Sequence, residues 1–200
     1  MIENPQIGLQ LMSEEHRGTS GLQAHMEVMR LFHNFLASAK SLIDHTRVFV
    51  EEYYINSALK QTYQQKINTD FAKDPLMKFV QDLRNYMLHR ALPQGSMSLT
   101  IKRNTETGSH DMVSTVSIDK KKLLLWENWT KPSLSFITAA DSEIKISTLS
   151  TAYGEKVLAF SEWLDSELQR HHESDIKAFE MLQREYAAAE QLEKLSRNGT

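Results

Sequence analysis

Apolar residues recur at helical spacing from residue 22 to about residue 54: Met26, Met29, Phe32, Leu36, Ala39, Ile43 and Val50. No Gly or Pro interrupts this stretch, and Ser20 can cap it, so the pattern predicts one long helix. A second helical run covers about 56–71. Asp74-Pro75 then opens a third helix in the favoured order, Asp at the N-cap and Pro at the first helical position. Its apolar residues Leu76, Val80, Leu83, Met87 and Ala91 form one stripe, which predicts a helix over about 75–91 stopped by Leu92-Pro93-Gln94-Gly95.

The pattern then changes period. Residues 97–102 and 112–118 alternate apolar with polar, and a loop containing Gly108 separates them, which predicts a β-hairpin inserted at about 96–118. A lone two-stranded hairpin is marginal, so it must pack on the helices or on a partner. Asp119 is placed to cap a short helix running through Trp129, and Pro132 to open another. From about 147 to 195 the helical pattern returns, with Gly154 as its only breaker. Ile176, Phe179, Leu182, Tyr186 and Leu192 or Leu195 keep a narrow apolar stripe on a helix that projects or pairs with another chain. Residues 1–20, with Asn4-Pro5, Gly8 and Gly18, read as an irregular arm; 21–200 read as a single, mainly α domain.

Composition narrows the function classes. The 200 residues carry a net charge of −3, with 40% hydrophobic and 24% charged side chains, which is ordinary for a globular protein. Nothing in that balance predicts broad electrostatic binding of nucleic acid, so any such contact needs a local basic patch. Zero Cys excludes disulfides, thiol catalysis and Cys-ligated zinc, and fits a cytoplasmic location. No apolar run approaches the roughly 20 residues of a membrane span. Phosphate-loop, dinucleotide-fold and serine-elbow motifs are absent, and eight His form no HExxH or ExxH pair, so no cofactor or intrinsic metal is expected.

The outer side of the third helix carries the most suggestive chemistry. Arg84, Asn85 and His89 fall away from the apolar stripe, across an arc of roughly 140°. Asn85 and His89 are i,i+4 neighbours. A permanently charged guanidinium beside the side chain that titrates nearest neutral pH suits work on a phosphodiester. The same residues also suit an ordinary solvated face that complements the helix dipole. Asp44, His45 and Arg47 form a second cluster on the first helix. A bundle can bring them beside the motif helix, where Asp44 can orient His89 or pair with Arg84 and Arg47 can add phosphate affinity; the other reading is an ion-pair network. Lys120-Lys121-Lys122 can grip a polynucleotide backbone or face solvent. Trp126 and Trp129 can stack on bases or pack against the hairpin.

The stretch Phe79-Val80-Gln81-Asp82-Leu83-Arg84-Asn85-Tyr86, followed by His89 and Pro93, resembles the R-x4-6-H signature of HEPN domains. These are small all-helical bundles of prokaryotic toxins, phage-defence ribonucleases and some eukaryotic proteins. The segment Asn34-Phe35-Leu36-Ala37-Ser38-Ala39-Lys40-Ser41-Leu42-Ile43-Asp44-His45-Thr46-Arg47 resembles the preceding long helix of uncharacterised bacterial HEPN-like proteins. The resemblance covers roughly residues 22–93. It implies an antiparallel HEPN-like helical bundle carrying the hairpin as an insertion and a long C-terminal helix. It implies a homodimer in which Arg84 and His89 of two protomers meet and cut RNA without metal, and an antitoxin protein as a further partner. Members without activity imply the alternative, a non-catalytic dimerisation or interaction module.

Overall fold

The computed structural model describes Gln6 and residues 20–93, 95–103 and 110–198. Apart from Gln6 and Ser20, the N-terminal arm lies outside the described residues. The chain is mainly helical with a small antiparallel sheet and divides into two compact units, residues 1–156 and residues 157–200.

The first unit begins with α1 (Ser20–Tyr53), α2 (Ala58–Asp70) and α3 (Pro75–His89). Met29, Phe32, Leu36, Ala39 and Val50 of the α1 stripe are buried; Ile43 is half-buried and Met26 exposed. Ser57 caps α2, its Oγ accepting the Lys60 N–H. Asp74 caps α3 by accepting the Met77 N–H at 2.9 Å, and its other oxygen takes an ion pair from Lys156 at 2.8 Å. The helix stops at His89, two residues before Ala91, because Leu92 precedes Pro93 and is pushed toward extended backbone.

The buried face of α3 is wider than one stripe. Leu76, Val80 and Leu83 are buried as the periodicity predicts, but so are Met77, Phe79, Asp82 and Tyr86. The reason is that α3 has two neighbours: it packs on α1 and on α5 (Lys131–Ala139). Each fully buried side chain of this size contributes about 1.5–3 kcal/mol of transfer free energy, so α3 is the centre of the core.

Between α3 and α5 lie β1 (Gly95–Arg103), β2 (His110–Asp119) and α4 (Lys120–Leu123). The hairpin pairs antiparallel with Gly95 opposite Ile118 and Arg103 opposite His110. It is not a lone pair. β3 (Glu143–Lys145) adds to β2, giving the order β1-β2-β3, and Glu143 accepts hydrogen bonds from Ser96 Oγ (3.1 Å) and Ser117 Oγ (2.5 Å). Three residues are too few to show a strand period, so β3 was not legible in sequence.

Asp119 caps α4 as expected, but that helix ends at Leu123 rather than continuing through Trp129. The chain turns there, and the Trp129 indole N–H donates back to the Leu123 carbonyl at 2.8 Å. The turn carries both tryptophans onto α3 rather than onto the hairpin. Trp129 stacks on Tyr86 at 5.8 Å and sits 5.7 Å from Phe79, while Trp126 meets Tyr86 edge-on at 5.5 Å.

Helix α6 (Ile146–His171) runs through Gly154 without a break. A single Gly costs a helix only about 1 kcal/mol relative to Ala, and Leu149 and Tyr153 just before it are anchored in the core. Within the first unit, Tyr153 meets Phe35 of α1 edge-on at 5.5 Å. The helical run breaks at His172 instead, before α7 (Glu173–Asn198).

In the second unit, every residue of α7 from Glu173 to Leu192 is exposed, including Ile176, Phe179, Leu182, Tyr186 and Leu192. Its charges pair along the helix, Glu173 with Lys177 at 2.6 Å and Glu190 with Lys194 at 2.5 Å, each with the acid N-terminal at i,i+4 spacing. No helix of the described residues is long and apolar enough to cross a membrane.

Candidate functional site

Two neighbours take their sides of α3; on the third side Met77 is buried near the N-terminus, and the C-terminal half carries the more exposed residues. At about 100° per residue, Leu76, Val80, Leu83 and Met87 share one flank and Phe79, Asp82 and Tyr86 the next. The remaining arc presents Arg84, Leu88, Asn85 and His89. Arg84 is half-buried; Leu88, Asn85 and His89 are exposed. Among the described residues, the side chains of Arg84, Asn85 and His89 make no hydrogen bond or ion pair, with one another or with anything else. Asn85 and His89 remain i,i+4 neighbours, and Arg84 lies about 140° around the helix from His89.

The other polar groups of the same stretch are engaged in holding the fold. Asp82 is 9% exposed. One of its oxygens, Oδ2, accepts the Thr130 N–H (3.0 Å), the Thr130 hydroxyl (2.7 Å) and the Ser133 hydroxyl (2.6 Å). Thr130 stands at the N-cap of α5 but makes no side-chain capping bond there. The carboxylate of α3 therefore serves the N-terminus of α5, where negative charge is favoured. Arg90, the C-cap of α3, donates from Nη1 to the Leu125 carbonyl at 3.1 Å and lies 6.0 Å from the Tyr86 ring centre. Sequence reasoning missed both roles. The sign available for Asp82 was the Thr130-Lys131-Pro132-Ser133 helix start, which lacks an acid of its own; Arg90 carried no comparable sign.

Asp44, His45 and Arg47 lie on α1. Lys40 donates a short hydrogen bond to Asp44, and Arg47 approaches the same oxygen at 3.8 Å. The Lys40 hydrogen bond holds the Asp44 carboxyl below its usual range, and the charges of Arg47 and Arg84 act in the same direction. Arg84 thus lies within electrostatic reach of Asp44. No hydrogen bond joins Asp44 to Arg84 or His89 among the described residues, and His45 and Arg47 are exposed. The ion-pair reading of this cluster is the one with direct contacts.

A groove of about 950 Å³ opens where the N-terminal turns of α1 meet the end of α3, lined by His25, Met29, Arg30, His33, Met87 and Gly95 among others. It lies on the Met87 flank of α3, and Arg84, Asn85 and His89 do not line it. Gly95 is closely hemmed in there: a Cβ would stand 3.0 Å from the Ser117 carbonyl oxygen and 3.1 Å from His25 Cε1. Among the described residues, no group of three or more His, Cys, Asp or Glu is placed to hold a metal ion.

No protein-family model, no curated protein and no solved structure matches this chain.

Proposed function

We propose that the chain is a HEPN-like, metal-independent endoribonuclease that acts as a cytoplasmic homodimer, with Arg84, Asn85 and His89 as its catalytic residues. One observation carries the reading. In a stretch whose Asp82, Tyr86 and Arg90 are all engaged in holding α3 to its neighbours, the three signature side chains are the polar groups left uncommitted on the outer arc. The packing of α1 on α3, the two helices that carry the resemblance, supports an antiparallel HEPN-like bundle. Leu88, 55% exposed on the same arc, and Leu92, 53% exposed just beyond it, give a second protomer something apolar to cover beside the site.

In this reading His89 takes the proton of a ribose 2′-hydroxyl as its oxygen attacks the adjacent phosphorus. Arg84 holds the phosphate and stabilises the charge that builds on it. Asn85 orients the phosphate or the imidazole. The bond to the 5′-oxygen breaks and that oxygen takes up a proton, leaving a 2′,3′-cyclic phosphate and a 5′-hydroxyl. A toxin–antitoxin or phage-defence setting, with an antitoxin protein as partner, rests on the resemblance alone.

The test is purified protein with mixed cellular RNA, with and without EDTA. His89→Ala should lower the rate about 100- to 10,000-fold, the usual cost of losing a general base. Arg84→Lys should also be severe, because lysine keeps the charge but loses the planar fork. EDTA should change nothing, and the new 5′ ends should accept label from polynucleotide kinase without phosphatase treatment. Equal cleavage by all three proteins would point to a contaminating nuclease. The exposed apolar face of α7 favours a second reading, a dimerisation or interaction module. A parent protein that cuts no RNA but forms a folded dimer and holds a specific protein would select it.

A further inference from the structure

We propose that Lys121, Lys122 and Trp126 form a binding track for single-stranded RNA beside His89. The inference rests on the ribonuclease reading and extends it to the strand that the site must hold.

Two contacts place this segment alongside the last turn of α3, and a third ties Lys122 into it. Arg90, next in sequence to His89, reaches the Leu125 carbonyl. Trp126 packs edge-on against Tyr86, three residues before His89. The Leu125 N–H donates to the Lys122 carbonyl at 3.3 Å, so Lys122 stands beside the residue that Arg90 grips. On the helix wheel His89 is about 60° from Tyr86, on the flank where this segment packs. The histidine therefore lies at the border between the free arc and the tryptophan-bearing turn.

The charges in this segment divide by role. Lys120 donates from Nζ to the Thr138 and Ala140 carbonyls at 2.7 and 2.6 Å, closing the C-terminus of α5. Lys121 and Lys122 are exposed and form no ion pair among the described residues. From Asp119 to Lys131 the acids are Asp119, whose carboxylate is held by the Lys121 and Lys122 N–H groups at 2.8 and 3.3 Å, and Glu127, against four lysines. Trp126 is half-buried and meets Tyr86 and Trp129 edge-on. Two exposed lysines four and five residues before a packed indole match a polynucleotide single strand, which offers phosphates and unpaired bases together. On a chain of net charge −3, they supply the local basic patch that such a substrate needs.

The test uses the full chain and a short fluorescein-labelled 2′-O-methyl oligoribonucleotide, which lacks the attacking hydroxyl and reports binding apart from cleavage. Lys121→Ala/Lys122→Ala should bind it more weakly. It should also flatten the dependence of log K on log salt by about 1.4, or about 0.7 for each single-strand phosphate that the variant no longer neutralises. Both lysines are exposed, so the circular dichroism of the variant should match the parent. Oligonucleotide binding should quench tryptophan fluorescence in the parent, and Trp126→Phe should lose most of that quench while Trp129 and Trp163 remain. Equal affinity and equal salt slope in parent and double variant would overturn the track. So would failure of the parent to bind the oligonucleotide while an acidic protein is held through the same lysines. Lysine-dependent binding without cleavage of natural RNA would uphold the track and remove the nuclease reading. His89-dependent cleavage with unaltered binding in the double variant would do the reverse.

Discussion

Replacing Asp82 with Ala removes the acceptor of three hydrogen bonds that tie α3 to the start of α5. Hydrogen bonds to a charged group are worth about 1.5–3 kcal/mol each, but the three losses do not simply add. Thr130 is exposed, so water can take over its N–H, and the Thr130 and Ser133 hydroxyls lie 2.9 Å apart and still satisfy one another. What disappears outright is the charge at the α5 N-terminus, and the fully buried Ser133 hydroxyl is left with Thr130 Oγ1 as its one partner. A missing helix cap costs about 0.5–2 kcal/mol, and a weakened buried donor adds about 1 kcal/mol, for a total of about 1.5–3 kcal/mol. At roughly 2–4 °C per kcal/mol for a chain of this size, the melting temperature should fall by about 3–12 °C. Urea unfolding followed by tryptophan fluorescence is the assay, because Trp126 and Trp129 pack against α3. Asp82→Asn keeps an oxygen for the donors and should recover part of the loss. The Asp82→Ala and Ser133→Ala effects should be less than additive, since the two side chains share a bond. A change under about 0.5 kcal/mol, the range of an ordinary surface substitution, would show that the carboxylate does not hold the helices together.

Gly95→Ala should destabilise by about 1–3 kcal/mol in the same assay: the new methyl would meet the Ser117 carbonyl, which cannot move aside as the His25 and Met29 side chains can. Tyr153→Phe should leave stability at pH 7 unchanged or raised, since the buried Tyr153 hydroxyl has no hydrogen-bond partner among the described residues. The same variant checks a pH effect. Burial pushes the Tyr153 phenol up to about 12, whereas an unfolded chain ionises near 10. The unfolded state therefore releases its proton first, and this residue's share of stability, complete below pH 10, is lost as pH rises toward 12. Parent and variant unfolding curves at pH 7 and 11 should differ in that sense, and a parent no more alkali-sensitive than the variant would refute it.

Sequence made the helices of the first unit legible where local signals agreed with the packing. α3 shows an apolar stripe, an Asp-Pro start and a Pro stop; the structure keeps the start and buries Leu76, Val80 and Leu83, but Met87 is half-buried and Ala91 is exposed beyond the helix end at His89. The hairpin was legible from its period-two alternation. What sequence concealed are features that depend on distant residues: three residues became β3 by pairing with β2, with Ile144 buried and Glu143 accepting from serines on β1 and β2. Gly154 looked like a break, yet the core contacts around it outweigh the small local cost. At the candidate site, the outward placement of Arg84, Asn85 and His89 could be read from the wheel. The second buried flank of α3 could not, because Asp82 and Tyr86 are polar or amphipathic residues recruited by α5 and the tryptophan turn.

α7 has a consequence for the lifetime of the chain. A helix with every described side chain in water from Glu173 to Leu192 draws its order from its own backbone ladder and from charge pairs along its surface. Such order opens locally at little cost, without waiting for the core to unfold. Backbone amides there should exchange with deuterated solvent well before those of α3, and trypsin should nick at Lys177, Arg184 and Lys194 while the first unit stays whole. A cover over the apolar stripe would slow both processes. The rate at which α7 is clipped is then a direct gauge of whether this helix is occupied, in a test tube or in a cell extract.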